Sequence, residues 1–224
     1  MTGLVRSVNL GSPRPHRAPG EGTTGIDKRP VTELVEVRPP GPKKGGLGSG
    51  IVGDAVMNRR HHGGDDQAVY AVAREELDWW SSELGRELAD GMFGENLTTV
   101  GVEVDDALLG EIWQVGPVGR GAVLQVRAPR IPCATFQGFL GIPNWIRRFN
   151  EHGRCGAYLA VVEPGSVQAG DEVVVIGRPE HDLTVSESFR ALTLERDLLP
   201  GLLRAGDDLP DELRDRARRR QGFD

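Results

Sequence analysis

The sequence predicts a β-rich, mainly antiparallel body with peripheral helices and a short helical extension at the C-terminus. Three observations carry this. The 31 glycines and 15 prolines, with aromatics at 5%, favour short strands and loops over long helices. Compact apolar runs recur between those breakers, the clearest being Gly156–Val162 and Glu172–Ile176. Beyond Pro179 the apolar spacing becomes helical. Residues 1–180 are therefore expected to form the body and residues 181–224 a helical appendage.

Length and composition narrow the classes. A chain of 224 residues builds one large domain, or one domain with an appendage. A net charge of -6 leaves nothing global to draw nucleic acid or an anionic membrane. No apolar stretch is long enough to span a bilayer, and Met1-Thr2-Gly3-Leu4-Val5-Arg6 lacks the apolar region of a signal peptide. The 2 cysteines, Cys133 and Cys155, exclude a disulfide framework and a four-thiolate iron–sulfur cluster, and a cytoplasmic location is expected. With no CxxC or HExxH, a zinc site has no support.

In chain order, Leu4–Leu10 reads as a first strand, followed by a loop rich in proline and glycine over residues 11–25. Val31–Val37 alternates imperfectly and reads as one strand. Residues 39–50, mostly Pro, Gly and Lys, read as a mobile surface loop within the same domain. A helix is expected directly after the polar stretch Gly53–Gln67, capped by Asp65 or Asp66. Its stripe is Val69, Val72, Ala73, Leu77, Trp80 and Leu84. Gly63-Gly64 reads either as an anion-binding turn at that helix start or as a tight turn whose aspartates repel anions. Of the adjacent His61 and His62, at most one is expected to face a site.

Phe93–Thr99 reads as a short polar strand-and-turn element, with Glu95 and Asn96 either inward polar groups or surface and turn residues. Leu108–Gly116 and Ala122–Arg127 read as an antiparallel pair. Asn144–Glu151 reads as a short helix whose Trp145, Ile146 and Phe149 pack the core. Cys155 opens a strand as a structural residue. Helices are expected through Leu194–Leu199 and after Pro210-Asp211, the last ending in Arg216–Arg220, a solvated end that suits the helix dipole.

The stretch with chemistry in it is Ala128-Pro129-Arg130-Ile131-Pro132-Cys133. The run Ala122–Val126 leads into it as a strand, and the two prolines are expected to stop the ladder, since proline donates no backbone hydrogen bond. A thiol held at such a strand end, with Arg130 three residues before it, is favoured as thiolate, the form that acts as nucleophile or metal ligand. The competing reading is a small buried hydrophobe in an inert β-rich binding protein.

Several motifs stand in one order: His62-Gly63-Gly64 with Asp66, Phe93-Gly94-Glu95-Asn96-Leu97, Leu109-Gly110-Glu111, Pro129-Arg130-Ile131-Pro132-Cys133, and Gly165 with Ala169-Gly170-Asp171. Together they resemble the MOSC domain superfamily, named for the C-terminal domain of molybdenum cofactor sulfurase. The YiiM-like branch of small stand-alone proteins is the nearest match, and the resemblance runs from about Leu4 to Val185. It implies a barrel-like body and the molybdenum cofactor as ligand. Cys133 then matches the family cysteine that coordinates molybdenum or carries sulfur, and a soft thiolate suits a metal already held by dithiolene sulfurs.

Pterin and phosphate need cations and donors. The candidates are Arg130, then Lys28 in the family-like stretch Gly25-Ile26-Asp27-Lys28, then Asn96, with His62 lining the pocket and Arg59 or Arg60 as substitutes. The activity implied is reduction of N-hydroxylated compounds (hydroxylaminopurines, hydroxylamines, amidoximes) to amines by oxygen-atom removal at molybdenum. Electrons are expected from a separate reductase or flavoprotein, since no nucleotide fingerprint is present. The alternative is a sulfur carrier or cofactor-delivery module with a persulfide on Cys133. A sulfur-mobilising relative is expected beside a pyridoxal-phosphate lyase domain, for which these residues leave no room.

Overall fold

The computed structural model describes residues 2–15 and 22–223. Its strands are β1 (Thr2–Gly11), β2 (Arg14–Pro15), β3 (Thr23–Thr24), β4 (Lys28–Val31), β5 (Val35–Val37), β6 (Val69–Ala73), β7 (Leu97–Val100), β8 (Ile112–Val115), β9 (Ala122–Pro129), β10 (Ala157–Glu163), β11 (Gly165–Val167) and β12 (Glu172–Gly177). Its helices are α1 (Arg74–Leu84), α2 (Ala134–Leu140), α3 (Trp145–His152), α4 (Val185–Thr193) and α5 (Asp211–Arg219), with a 3-10 stretch Arg196–Asp208 before the last.

Seven strands close a barrel in the order β12-β8-β9-β10-β6-β7-β1, the ring sealed by β1 pairing with β12. Every neighbouring pair is antiparallel except β6–β7, which is parallel. Closure removes the open sheet edges that strands otherwise expose. The fold class read from the sequence, a mainly antiparallel barrel-like body with peripheral helices, is the one observed. β4 lies outside the ring on the end of β1, pairing Val8–Gly11 with Lys28–Val31. Of the loop expected over residues 11–25, residues 16–21 lie outside the described residues, and its flanks form the ribbon β2–β3.

Four expectations need correction. The helix expected after Asp65 begins nine residues later. Asp65–Gln67 is one 3-10 turn, and Val69–Ala73 is a barrel strand with all five residues buried. Helix α1 then starts after Ala73, so neither aspartate caps it. A strand buried on both faces is continuously apolar, and such a run does not declare its period.

Val31–Val37 is two strands in different sheets, β4 on the barrel and β5 paired with β11, broken at a bend around Glu33. The ladder of β9 also does not stop at the first proline: Pro129 still pairs with Ala157, and the chain leaves the sheet at Arg130. Finally, residues 39–50 are only in part a surface loop. Gly48, Ser49 and Gly50 are buried, and the Gly50 amide bonds to the Ala68 carbonyl at 2.7 Å.

One helix was not anticipated. α2 follows Cys133 directly and buries Phe136, Phe139 and Leu140. Phe136 joins Phe93, Trp145 and Phe149 in a close aromatic cluster, with ring centroids 5.2 to 5.4 Å apart along the path Phe93–Phe136–Trp145–Phe149. Such edge-to-face and tilted packing fixes both helices against the barrel, and with them the segment carrying Cys133. At the C-terminus, Phe189, Leu192, Leu199 and Leu202 are buried in the same core as the barrel residues, so these helices share the barrel's core.

Candidate functional site

Arg130 is the first residue beyond the sheet, and Cys133 is the last before α2, at its N-cap. The prolines on either side restrict the backbone between them. Arg130 is 4% exposed. Its guanidinium donates to the Ile131 carbonyl at 2.8 Å and lies 4.1 Å from the centre of the Phe136 ring. The Cys133 thiol is half-buried and free, and Cys155 is buried and free.

The two thiols differ in chemistry. Burial alone raises the Cys133 thiol, but the His62 imidazole and the Arg130 guanidinium beside it outweigh burial and bring it down to about 6. Burial pushes the Cys155 thiol well above its usual value, with Asp105 adding to the rise. Cys133 is therefore the thiolate at neutral pH and Cys155 an inert thiol.

Two spaces meet at Cys133. An inner cavity of about 150 Å³ runs from Cys133, Arg130, Tyr158 and Tyr70 past His62 and Asn96 to Lys28, Ser49 and Thr24. An outer cleft of about 820 Å³ lies between the segment Ile131–Thr135 and the C-terminal residues Glu212, Leu213, Arg216 and Phe223. Cys133, His62 and Tyr158 border both. All five residues singled out from the sequence, Cys133, Arg130, Lys28, Asn96 and His62, line the inner cavity. His61 and Arg60 border only the outer cleft. Arg59 borders neither; it donates to the Gly46 carbonyl at 2.9 Å.

Gly63 and Gly64 form the tight turn. Their φ values are 83° and 87°, and a side chain at Gly64 would meet the Lys43 backbone at 2.7 Å. Only glycine takes both conditions without strain. The turn seats residues 39–50 beside the cavity, with the Gly64 amide bonded to the Gly48 carbonyl at 3.0 Å.

Lys28 and Asn96 do not stand free. The Lys28 ammonium is 2.5 Å from Asp54, and the Asn96 amide donates to Asp54 at 3.0 Å while its carbonyl accepts from the Tyr70 amide at 3.2 Å. Asp54, Ser49, Tyr70 and Tyr158 were not singled out from the sequence. The tyrosine rings lie 5.1 Å apart, and the Tyr70 hydroxyl donates to the Cys155 carbonyl at 2.7 Å. The adjoining Gly53-Asp54 was the available signal for Asp54. Nothing local marked the tyrosines, which arrive from neighbouring barrel strands.

The donor set suits one kind of metal group. Among the described residues, no three His, Cys, Asp or Glu side chains come together as ligands for a bare metal ion. A single soft thiolate flanked by a guanidinium, an ammonium, an amide and two phenols fits a metal that brings its own sulfur ligands on an organic anion. The residues present therefore fit the molybdenum cofactor.

Fold and site together define a closed-barrel protein with one activated cysteine at the junction of two cavities. The MOSC domain family matches residues 58–174, and the chain belongs to that family. It is 30% identical over 187 residues to the uncharacterized protein YflK of Bacillus subtilis (strain 168), covering 83% of this chain and 79% of that one. It is 27% identical over 210 residues to a protein named reductase from Gibberella moniliformis, covering 81% of this chain and 37% of that longer protein. Among solved structures, YiiM from Geobacillus stearothermophilus is similar with a TM-score of 0.75 and 26% identity, over 97% of this chain and 98% of that one.

Proposed function

We propose that this protein binds the molybdenum cofactor through Cys133 and reduces N-hydroxylated compounds to amines, with electrons from a separate reductase or flavoprotein. The observation that carries the reading is the position of the Cys133 thiolate where an inner polar cavity and an outer cleft meet. The likeness to a fungal protein named reductase supports oxidoreductase chemistry.

Under this reading Cys133 is the metal ligand. Arg130, Lys28 and Asn96 hold the pterin and phosphate in the inner cavity, and substrate approaches through the outer cleft. When bound, the cofactor supplies two-electron chemistry at molybdenum: an N–OH compound, two electrons and two protons give the amine and water. The protein orients the two partners. Arg130 and His62 keep the thiol deprotonated as a ligand, and His62 and Tyr158, which border both spaces, are the side chains placed to pass protons. Free thiols suit a reducing cytoplasm.

The test is direct. Protein from a host that makes the cofactor is supplied with an artificial one-electron donor and offered a hydroxylaminopurine, a hydroxylamine and an amidoxime. Amine formation by the parent and none by Cys133→Ser supports the proposal. A molybdenum-loaded parent that leaves all three untouched refutes it. A persulfide on Cys133 without bound metal, seen by mass spectrometry, transfers the assignment to sulfur carriage.

A further inference from the structure

Asp54 lies behind the cavity wall. Its side chain is 0% exposed, yet its carboxylate collects donors from four separate segments. The Gly11 amide at the end of β1 donates at 2.8 Å, the Lys28 ammonium of β4 at 2.5 Å, the Ser49 hydroxyl at 2.7 Å and the Asn96 amide before β7 at 3.0 Å. Burial alone raises this carboxyl, but the Lys28 ammonium and the surrounding donors hold it below the usual carboxylate range. A buried carboxylate with its acceptor sites filled by charged and neutral donors is a fixed anion.

Three of those donors, Lys28, Ser49 and Asn96, line the inner cavity, while Asp54 does not. Among the described residues, Asp54 is the hydrogen-bond acceptor of the Lys28 ammonium. An ammonium carries three donors, so the others remain for whatever fills the cavity. Lys28 faces Asp54, while Arg130 and His62 both face the Cys133 thiol. The wall thus presents its donors to a ligand at fixed positions.

We propose that Asp54 is the positioning residue of the cavity: it pins the Lys28 ammonium and the Asn96 amide in the wall so that Lys28 meets an oxyanion of the bound group. This rests on the cofactor-binding reading of the site, in which that oxyanion belongs to the cofactor. Asp54 touches no ligand itself and acts through Lys28 and Asn96.

The test has one readout that needs no cofactor. In protein from a cofactor-deficient host, the acetylation rate of Lys28 by acetic anhydride is compared by mass spectrometry with that of exposed Lys44. In the parent, Lys28 reacts at least tenfold more slowly than Lys44. Asp54→Asn removes the carboxylate that pins the Lys28 ammonium in the wall, so the relative rate rises at least fivefold with the near-ultraviolet dichroism unchanged. If Asp54→Asn does not fold, Asp54→Glu replaces it, with at least a twofold rise expected from the displaced carboxylate.

The second readout is pterin content in a cofactor-producing host, with the pair removed together in Lys28→Met/Asp54→Asn. At least a fivefold loss of pterin from that folded double variant is expected. An unchanged Lys28 rate in the single variant, or parent-level pterin in the double variant, overturns the proposal. A parent that holds no pterin sinks the cofactor reading instead, and the labelling result alone then decides whether Asp54 positions Lys28.

Discussion

The activated thiol can be taken apart residue by residue. Cys133 sits at about 6 against a usual value of 9.0. That difference is worth about 4 kcal/mol between thiol and thiolate, and it raises the thiolate fraction at pH 7 from about 1% to about 90%. Burial opposes the shift, so it comes from the His62 imidazole, the Arg130 guanidinium and, last, the Phe136 amide.

The perturbations are His62→Ala and Arg130→Met, alone and together. The assay is the rate of iodoacetamide alkylation of Cys133 in the apoprotein as a function of pH, with Cys155 as the unreactive internal reference. The parent should titrate with a midpoint near 6. Each single variant should move it up by about one unit or more, and the double variant should reach or pass the usual thiol range, because burial is then opposed only by the Phe136 amide. A parent midpoint above 8, or a double variant indistinguishable from the parent, refutes the reasoning. Near-ultraviolet dichroism must match throughout, since Arg130 also packs on Phe136.

Two other perturbations test the frame around the site. Burial raises the Asp105 carboxyl from 3.8 to about 6, so its protonated form fits the fold better than its ionised form. Its contribution to stability is full below pH 3.8 and is lost as pH rises through 6. Asp105→Asn keeps an acceptor for the Cys155 and Gly156 amides. Urea unfolding should therefore show the variant gaining on the parent between pH 4 and pH 8, by at most about 3 kcal/mol, and an equal pH dependence in both proteins contradicts this. Gly64→Ala places a side chain where the Lys43 backbone stands 2.7 Å away at a φ of 87°. It should destabilise by about 1–3 kcal/mol and speed tryptic cleavage at Lys43 and Lys44, whereas unchanged cleavage would leave the turn without its docking role.

The parts of this architecture that sequence reveals are those where neighbours in the chain do the work. β9, β10 and β12 show as apolar runs between breakers, and Arg130 and Cys133 share one turn of chain. Val69–Ala73 escaped because its apolar residues run on into the stripe of α1, so strand and helix periods overlap. Asp54 escaped because three of its four partners are 26 to 43 residues away. Tyr158 and Tyr70 meet across paired barrel strands, and no local pattern announces such a contact. The order of motifs could name a family where local physics alone stops at a β-rich domain with a noteworthy thiol.

The most direct test of the account is the metal and pterin content of this protein expressed in a host that makes the molybdenum cofactor, purified beside Cys133→Ser. Near-stoichiometric molybdenum and pterin in the parent, with molybdenum lost from a folded Cys133→Ser, is the predicted result. A well-folded parent without molybdenum, or a Cys133→Ser protein that holds as much as the parent, contradicts the assignment of Cys133 as the metal ligand.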